Sequence, residues 1–135
     1  MNDIDWRLIK VLVVDDDDSL RRTLAKFFDK IGCVGAYAAN GIEALNLTRT
    51  YNFDVCLMDL FMPQMGGVEA AQIIHDEINP QLPIIALTSS SMAADQEKCE
   101  DVGMQDYLIK PVSLDVLKDV LRKYGTKIDA MESSL

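Results

Sequence analysis

The chain has 135 residues, 49% of them hydrophobic, which is enough for one cored domain, too few for two, and not the composition of a disordered chain. Its 22 acidic and 13 basic residues give a net charge of −9 at pH 7, and the densest basic group is only Arg122 and Lys123, so neither nucleic acid nor an anionic membrane surface is an expected partner. Cys33, Cys56 and Cys99 are widely spaced with no C-x-x-C pair, which excludes a disulfide framework or a zinc site and fits a reducing, cytoplasmic compartment. No run approaches the ~18 apolar residues of a membrane span, and the first ten residues lack an apolar signal core, so no direct membrane contact is expected.

Residues 1–9 read as an N-terminal leader and residues 10–125 as one domain. The run 11–14 is apolar on consecutive residues, as in a strand buried on both faces. Four consecutive aspartates, 15–18, follow it. Leu20, Leu24, Phe27, Phe28 and Ile31 then mark one face of a helix. A second strand is expected over 33–37. Asn40, with Glu43 three residues on, resembles an N-terminal cap for a helix carrying Ile42 and Leu45. A third strand is expected over 54–58, directly before Asp59. Val68, Ala71, Ile74 and Ile78 give a third helix, with His75, the one histidine, read as a surface residue on it. A fourth strand is expected over 83–87, then a shorter helix over 92–102 that Gly103 stops. The fifth strand is expected over 106–109. Leu114, Leu117, Leu121 and Tyr124 give the last helix, opened by Ser113 and closed by Gly125, and 126–135 reads as a polar C-terminal tail.

Five alternating strand–helix units predict an α/β fold: a five-stranded parallel sheet with five helices on both faces. Right-handed crossovers leave 2-1-3-4-5 as the common strand order, with its ligand site at the carboxyl ends of strands 1 and 3. In that order Asp15 and Asp16 follow strand 1, Asp59 ends strand 3, Thr88 ends strand 4 and Lys110 ends strand 5. All five side chains then gather at one rim. Three carboxylates at one point require a cation, and hard oxygen ligands suit Mg²⁺. A carboxylate can itself act as a nucleophile toward phosphorus, with a metal, an ammonium and a hydroxyl stabilising the phosphoryl oxygens.

The motifs at these positions carry a resemblance. Residues 11–17 (VLVVDDD), 59–63 (DLFMP), 87–89 (LTS) and 107–111 (YLIKP) occur in the order and spacing of response-regulator receiver domains, which have a flavodoxin-like fold. The match runs from about residue 10 to residue 124. The resemblance implies a two-component phosphorelay in which Asp59 is the phosphoacceptor. Asp15, Asp16, Asp59 and the backbone carbonyl of Phe61 would hold Mg²⁺ (or Mn²⁺), and Thr88 and Lys110 would contact the phosphoryl group. Thr88 and Tyr107 would form the switch that alters the surface of helix 4, strand 5 and helix 5, and Pro111 would follow a cis bond. The segments 85–88, 97–100 and 102–107 are most similar to receivers of hybrid sensor histidine kinases. They imply a sensor histidine kinase or a histidine phosphotransfer protein as partner, with relay and not DNA binding as output. The expected chain is a monomer, with dimerisation on phosphorylation left open. It is expected to be a signalling phosphoacceptor that assists its own phosphorylation and dephosphorylation, and not a dedicated enzyme.

Two departures from the family pattern stand out. Gly66 and Gly67 follow Met65 where receivers often have Met-Asp-Gly, which predicts a more flexible loop. Phe61 and Ser90, two residues beyond Asp59 and Thr88, occupy positions that influence dephosphorylation in the family. Other classes fit less well. A haloacid-dehalogenase-like phosphatase would place its nucleophile after strand 1 and leave the 59–63 motif unexplained. A flavin site would need a phosphate cradle where the aspartates stand, and an EF-hand would need Gly and Glu at positions that lack them. A receiver that binds partners without phosphorylation is disfavoured because every acidic, Thr and Lys position is filled.

Overall fold

Consecutive apolar residues build the sheet. In the computed structural model, which describes residues 5–89 and 95–125, the strands are β1 (Lys10–Val14), β2 (Val34–Ala38), β3 (Val55–Asp59), β4 (Ile84–Thr88) and β5 (Met104–Ile109). All pair in parallel, in the order β2-β1-β3-β4-β5. Both β3 and β4 are buried at every position, because helices cover both faces of a parallel sheet. One face packs on α2 (Gly41–Thr50), α3 (Gly67–Ile73) and α4 (Gln96–Asp101) through Ala44, Ala71 and Cys99. The other packs on α1 (Asp18–Ile31) and α5 (Leu114–Gly125) through Leu24, Phe28, Leu117 and Leu121.

Helix ends follow from local chemistry. The Asp17 carboxylate accepts from the N–H groups of Ser19 and Leu20 and so starts α1, and Gly32 ends it with φ of 93°. Asn40 accepts from the Glu43 N–H at 2.9 Å, while the Glu43 carboxylate accepts from the Ala39 N–H at 2.9 Å, a reciprocal cap. The Ser113 hydroxyl accepts from the Val116 N–H and opens α5. Gly103, at φ of 83°, ends the turn after α4. The first residues of the helix expected over 92–102 lie outside the described residues, as does Ser90.

Several expectations need correction. The first strand starts one residue earlier than 11–14, and the second, third and fourth each start one residue later than 33–37, 54–58 and 83–87. The fifth starts two residues earlier than 106–109, because a bulge lies within it. Met104 pairs with Ile84 and Asp106 with Ile85, which leaves Gln105 as the extra residue. Met104 and Leu108 are an even number apart yet lie in opposite cores, which is what a bulge between them does. His75 is not a surface residue. Helix α3 passes into a π turn (Ile74–Ile78), and the half-buried imidazole reaches the carbonyls of Val102 at 2.7 Å and Leu82 at 2.8 Å.

The segment before β1 contributes to the core. Asp5 caps a short 3-10 turn (Trp6–Leu8), Ile9 is buried, and the Arg122 guanidinium lies 5.7 Å from the centre of the Trp6 ring. Among the described residues, no helix is long and apolar enough to cross a membrane.

Candidate functional site

The order reverses between β1 and β3, and the carboxyl ends of these two strands carry the acids. The Asp15 N–H donates to the Ala38 carbonyl at 3.1 Å, which extends the β1–β2 pairing by one residue and locks Asp15 in place. The residue is fully buried. Its Oδ1 accepts from the Asp17 N–H at 2.9 Å. Its Oδ2 faces Lys110 Nζ at 2.7 Å but has no well-angled hydrogen bond. Asp16, next in sequence, is exposed. Asp59 is the last residue of β3 and 7% exposed. Carboxylate oxygens of these three residues all lie within 4.8 Å of one another.

Lys110 follows β5 directly. Its N–H donates to the Thr88 carbonyl at 2.7 Å, so the ends of β4 and β5 are tied together. Its ammonium is 3.6 Å from Asp59 Oδ1. The Lys110–Pro111 bond is cis. Thr88 ends β4 and is buried. Tyr107 lies on β5 with 43% exposure, and Phe61 stands on the rim, 72% exposed. The Phe61 N–H points at Asp59 Oδ1 from 3.5 Å, a weak contact. Asp15, Asp16, Asp59 and Lys110 therefore meet at one point, with Thr88 at the adjoining strand end, Phe61 on the rim and Tyr107 set back along its strand.

Burial, and then the charge of Asp15, pushes the Asp59 carboxyl above its usual range, and Lys110 only partly offsets this. Burial works against the Lys110 ammonium, but the Asp15 carboxylate 2.7 Å away and the charge of Asp59 outweigh it and raise its pKa. One ammonium faces three carboxylates, so charge remains uncompensated. A small divalent cation fits that deficit and the all-oxygen donor set.

The glycine at position 67 has a packing reason. A Cβ there would run into the Asp59 carbonyl oxygen, and the Gly67 N–H donates to the Leu60 carbonyl at 2.9 Å. The start of α3 is thus pressed against the acid-bearing turn, where the sequence suggested looseness. Arg21 was not singled out from the sequence. Its guanidinium donates to the Asp15 carbonyl and pairs with the Asp18 carboxylate, which anchors the acidic loop to α1. The spacing of Asp17 and Asp18 ahead of Arg21, one helical turn, is the signal that could have found it.

An open parallel sheet with an acid cluster and a lysine at its switch point defines a doubly wound α/β domain. Residues 11–122 match the model of the response regulator receiver domain family, and the chain belongs to that family. It is 36% identical over 118 residues to the sensor histidine kinase RcsC of Escherichia coli, covering 87% of this chain and 12% of that protein. The chain thus spans about an eighth of that relative's length. The receiver domain of the sensor histidine kinase PA1611 from Pseudomonas aeruginosa, solved with a magnesium ion coordinated in its active-site cleft, superposes with a TM-score of 0.78. It is 30% identical, and the match covers 86% of this chain and 96% of that one. A chain in the co-crystal structure of the Saccharomyces cerevisiae histidine phosphotransfer protein Ypd1 with the receiver domain of Ssk1 gives a TM-score of 0.81. It is 31% identical, over 89% of this chain and 90% of that one.

Proposed function

We propose that the domain takes a phosphoryl group from a phosphohistidine donor onto Asp59, within a phosphorelay of the hybrid-kinase type. The observation that carries this reading is the meeting of Asp15, Asp16, Asp59 and Lys110 at the carboxyl ends of β1, β3 and β5. Asp59 supplies a carboxylate oxygen that bonds to phosphorus. The P–N bond to the donor imidazole breaks, and the imidazole nitrogen keeps the electron pair. Asp15, Asp16, Asp59 and the Phe61 carbonyl would hold Mg²⁺, or Mn²⁺ in its place, which when bound supplies positive charge to the phosphoryl oxygens. Lys110, already within 3.6 Å of Asp59, adds a second positive charge there. Thr88, beside it at the end of β4, offers a hydroxyl to the new acyl phosphate. Tyr107 is exposed enough to change rotamer when Thr88 moves, which would alter the surface of α4, β5 and α5.

The similarity to RcsC and to the receiver found with Ypd1 supports a histidine kinase or a histidine phosphotransfer protein as donor. Phe61 is bulky and exposed beside the acceptor, so it shields the acyl phosphate from water. The test is transfer of labelled phosphate from a phosphorylated histidine phosphotransfer protein. Label should move to the wild type with Mg²⁺ and not to Asp59→Asn. Phe61→Asn should lose the label several times faster than wild type. Equal labelling of Asp59→Asn would sink the assignment, and slower loss from Phe61→Asn would sink the role of Phe61.

A further inference from the structure

The bulge at Gln105 has a consequence at the next residue. It turns Asp106 toward the face that carries α5 and leaves Tyr107 on the other side. Asp106 Oδ2 accepts a hydrogen bond from the Tyr124 hydroxyl at 3.1 Å and lies 3.5 Å from Lys123 Nζ. Its Oδ1 accepts from the Tyr107 N–H at 2.9 Å. Because β5 is an edge strand, that side of it lacks a neighbouring strand, and the Asp106 carboxylate takes the place of one. One carboxylate therefore holds both the Tyr107 peptide and the final turn of α5. Tyr124 is 8% exposed, so its ring is packed and only its hydroxyl is committed to Asp106. The same turn is held from the other direction, where Arg122 meets Trp6 and Gly125 abuts Ile9.

We propose that Asp106 is a positioning residue that couples the backbone at Tyr107 to the last turn of α5, so that a displacement of β5 on phosphorylation reaches the C-terminal end of that helix. The inference rests on the receiver function proposed above. A carboxylate that grips both elements cannot follow one without loading its bonds to the other, and hydrogen-bond networks between rigid elements are one route by which coupling travels.

The experiment is hydrogen exchange on the full chain with Mg²⁺, with and without beryllofluoride as the phosphoryl mimic, in wild type, Tyr124→Phe and Asp106→Asn. In wild type the mimic should change exchange over 105–109 and over 121–125. Tyr124→Phe keeps the ring and removes the link; the change over 105–109 should persist while that over 121–125 is lost. Asp106→Asn keeps an acceptor without the charge and should fall between the two, and it serves alone should Tyr124→Phe not fold. A higher basal exchange over 121–125 with an unchanged response to the mimic would overturn the coupling and leave Asp106 a structural residue. Failure of wild type to bind beryllofluoride at all would instead overturn the receiver reading, and the inference with it.

Discussion

Replacing Asp59 with Asn should stabilise the cation-free protein. Asp59 lies within 4.8 Å of both Asp15 and Asp16 and 3.6 Å from the Lys110 ammonium. At an effective dielectric constant of about 20, the Asp15 repulsion is worth roughly 3–4 kcal/mol and the Lys110 attraction roughly 4–5 kcal/mol, so the two nearly cancel, while the exposed Asp16 is screened by solvent and adds little. Burial of the Asp59 carboxylate is the largest cause and works against its ionised form. The neutral amide keeps the shape and removes the charge. The expected gain near pH 7, with a chelator and low salt, is on the order of 1 kcal/mol, or about 3–5 °C in Tm. Burial and Asp15 raise the Asp59 carboxyl, so the native state holds its proton at a pH where the unfolded chain has lost it. Wild-type stability must therefore fall as pH rises from the ordinary carboxylate range through that raised pKa, and the Asn variant should lack this fall. Adding Mg²⁺ should reverse the order, since a ligand at 100 times its Kd adds about 2.7 kcal/mol to the protein that binds it. Urea denaturation with and without Mg²⁺ measures all three effects. A cation-free Asp59→Asn protein less stable than wild type would refute the electrostatic reasoning.

Three further outcomes are expected. Gly67→Ala should cost about 1–3 kcal/mol, since its Cβ meets the Asp59 carbonyl oxygen, and should weaken Mg²⁺ binding because the turn must shift; a fully tolerated Ala would contradict the close approach. His75→Ala should cost about 1–3 kcal/mol in urea, because the ring N–H that serves the Leu82 or the Val102 carbonyl and the packing of the ring between them are lost, and a loss below about 0.5 kcal/mol would show the contact to be inert. Burial pushes the Cys33 thiol up to about 11, against an ordinary 9.0, so alkylation near neutral pH should run about 100-fold slower than for a free thiol and climb with pH; a rate equal to that of free cysteine would contradict it.

The sheet was legible because parallel strands buried on both faces are apolar on consecutive residues, as 11–14 and 84–87 are. The crevice was legible for a related reason. Once strand order is known, polar residues at strand ends must share a rim, and Asp15, Asp59, Thr88 and Lys110 are strand-end residues. Where burial is one-sided, the pattern weakens. Edge strand β2 has only Ala38 fully buried, so its start was misplaced by a residue. The bulge at Gln105 leaves no local mark, because an extra residue shows only against its partner strand. That hid the role of Asp106, which depends on facing α5. The seat of His75 was hidden too, since its partners Val102 and Leu82 belong to other elements, one of them 27 residues away. Gly67 was read as loop freedom, although its reason is the nearness of the Asp59 carbonyl.

Cation-dependent phosphoryl acceptance at Asp59, proposed above, can be read on the intact protein. Intact-mass spectrometry after incubation with acetyl phosphate and Mg²⁺ tests it most directly. Wild type should gain one phosphoryl group, and Asp59→Asn, or wild type with Mg²⁺ chelated, should gain none. An adduct of the same size on Asp59→Asn, or one formed equally well without a divalent cation, would contradict it.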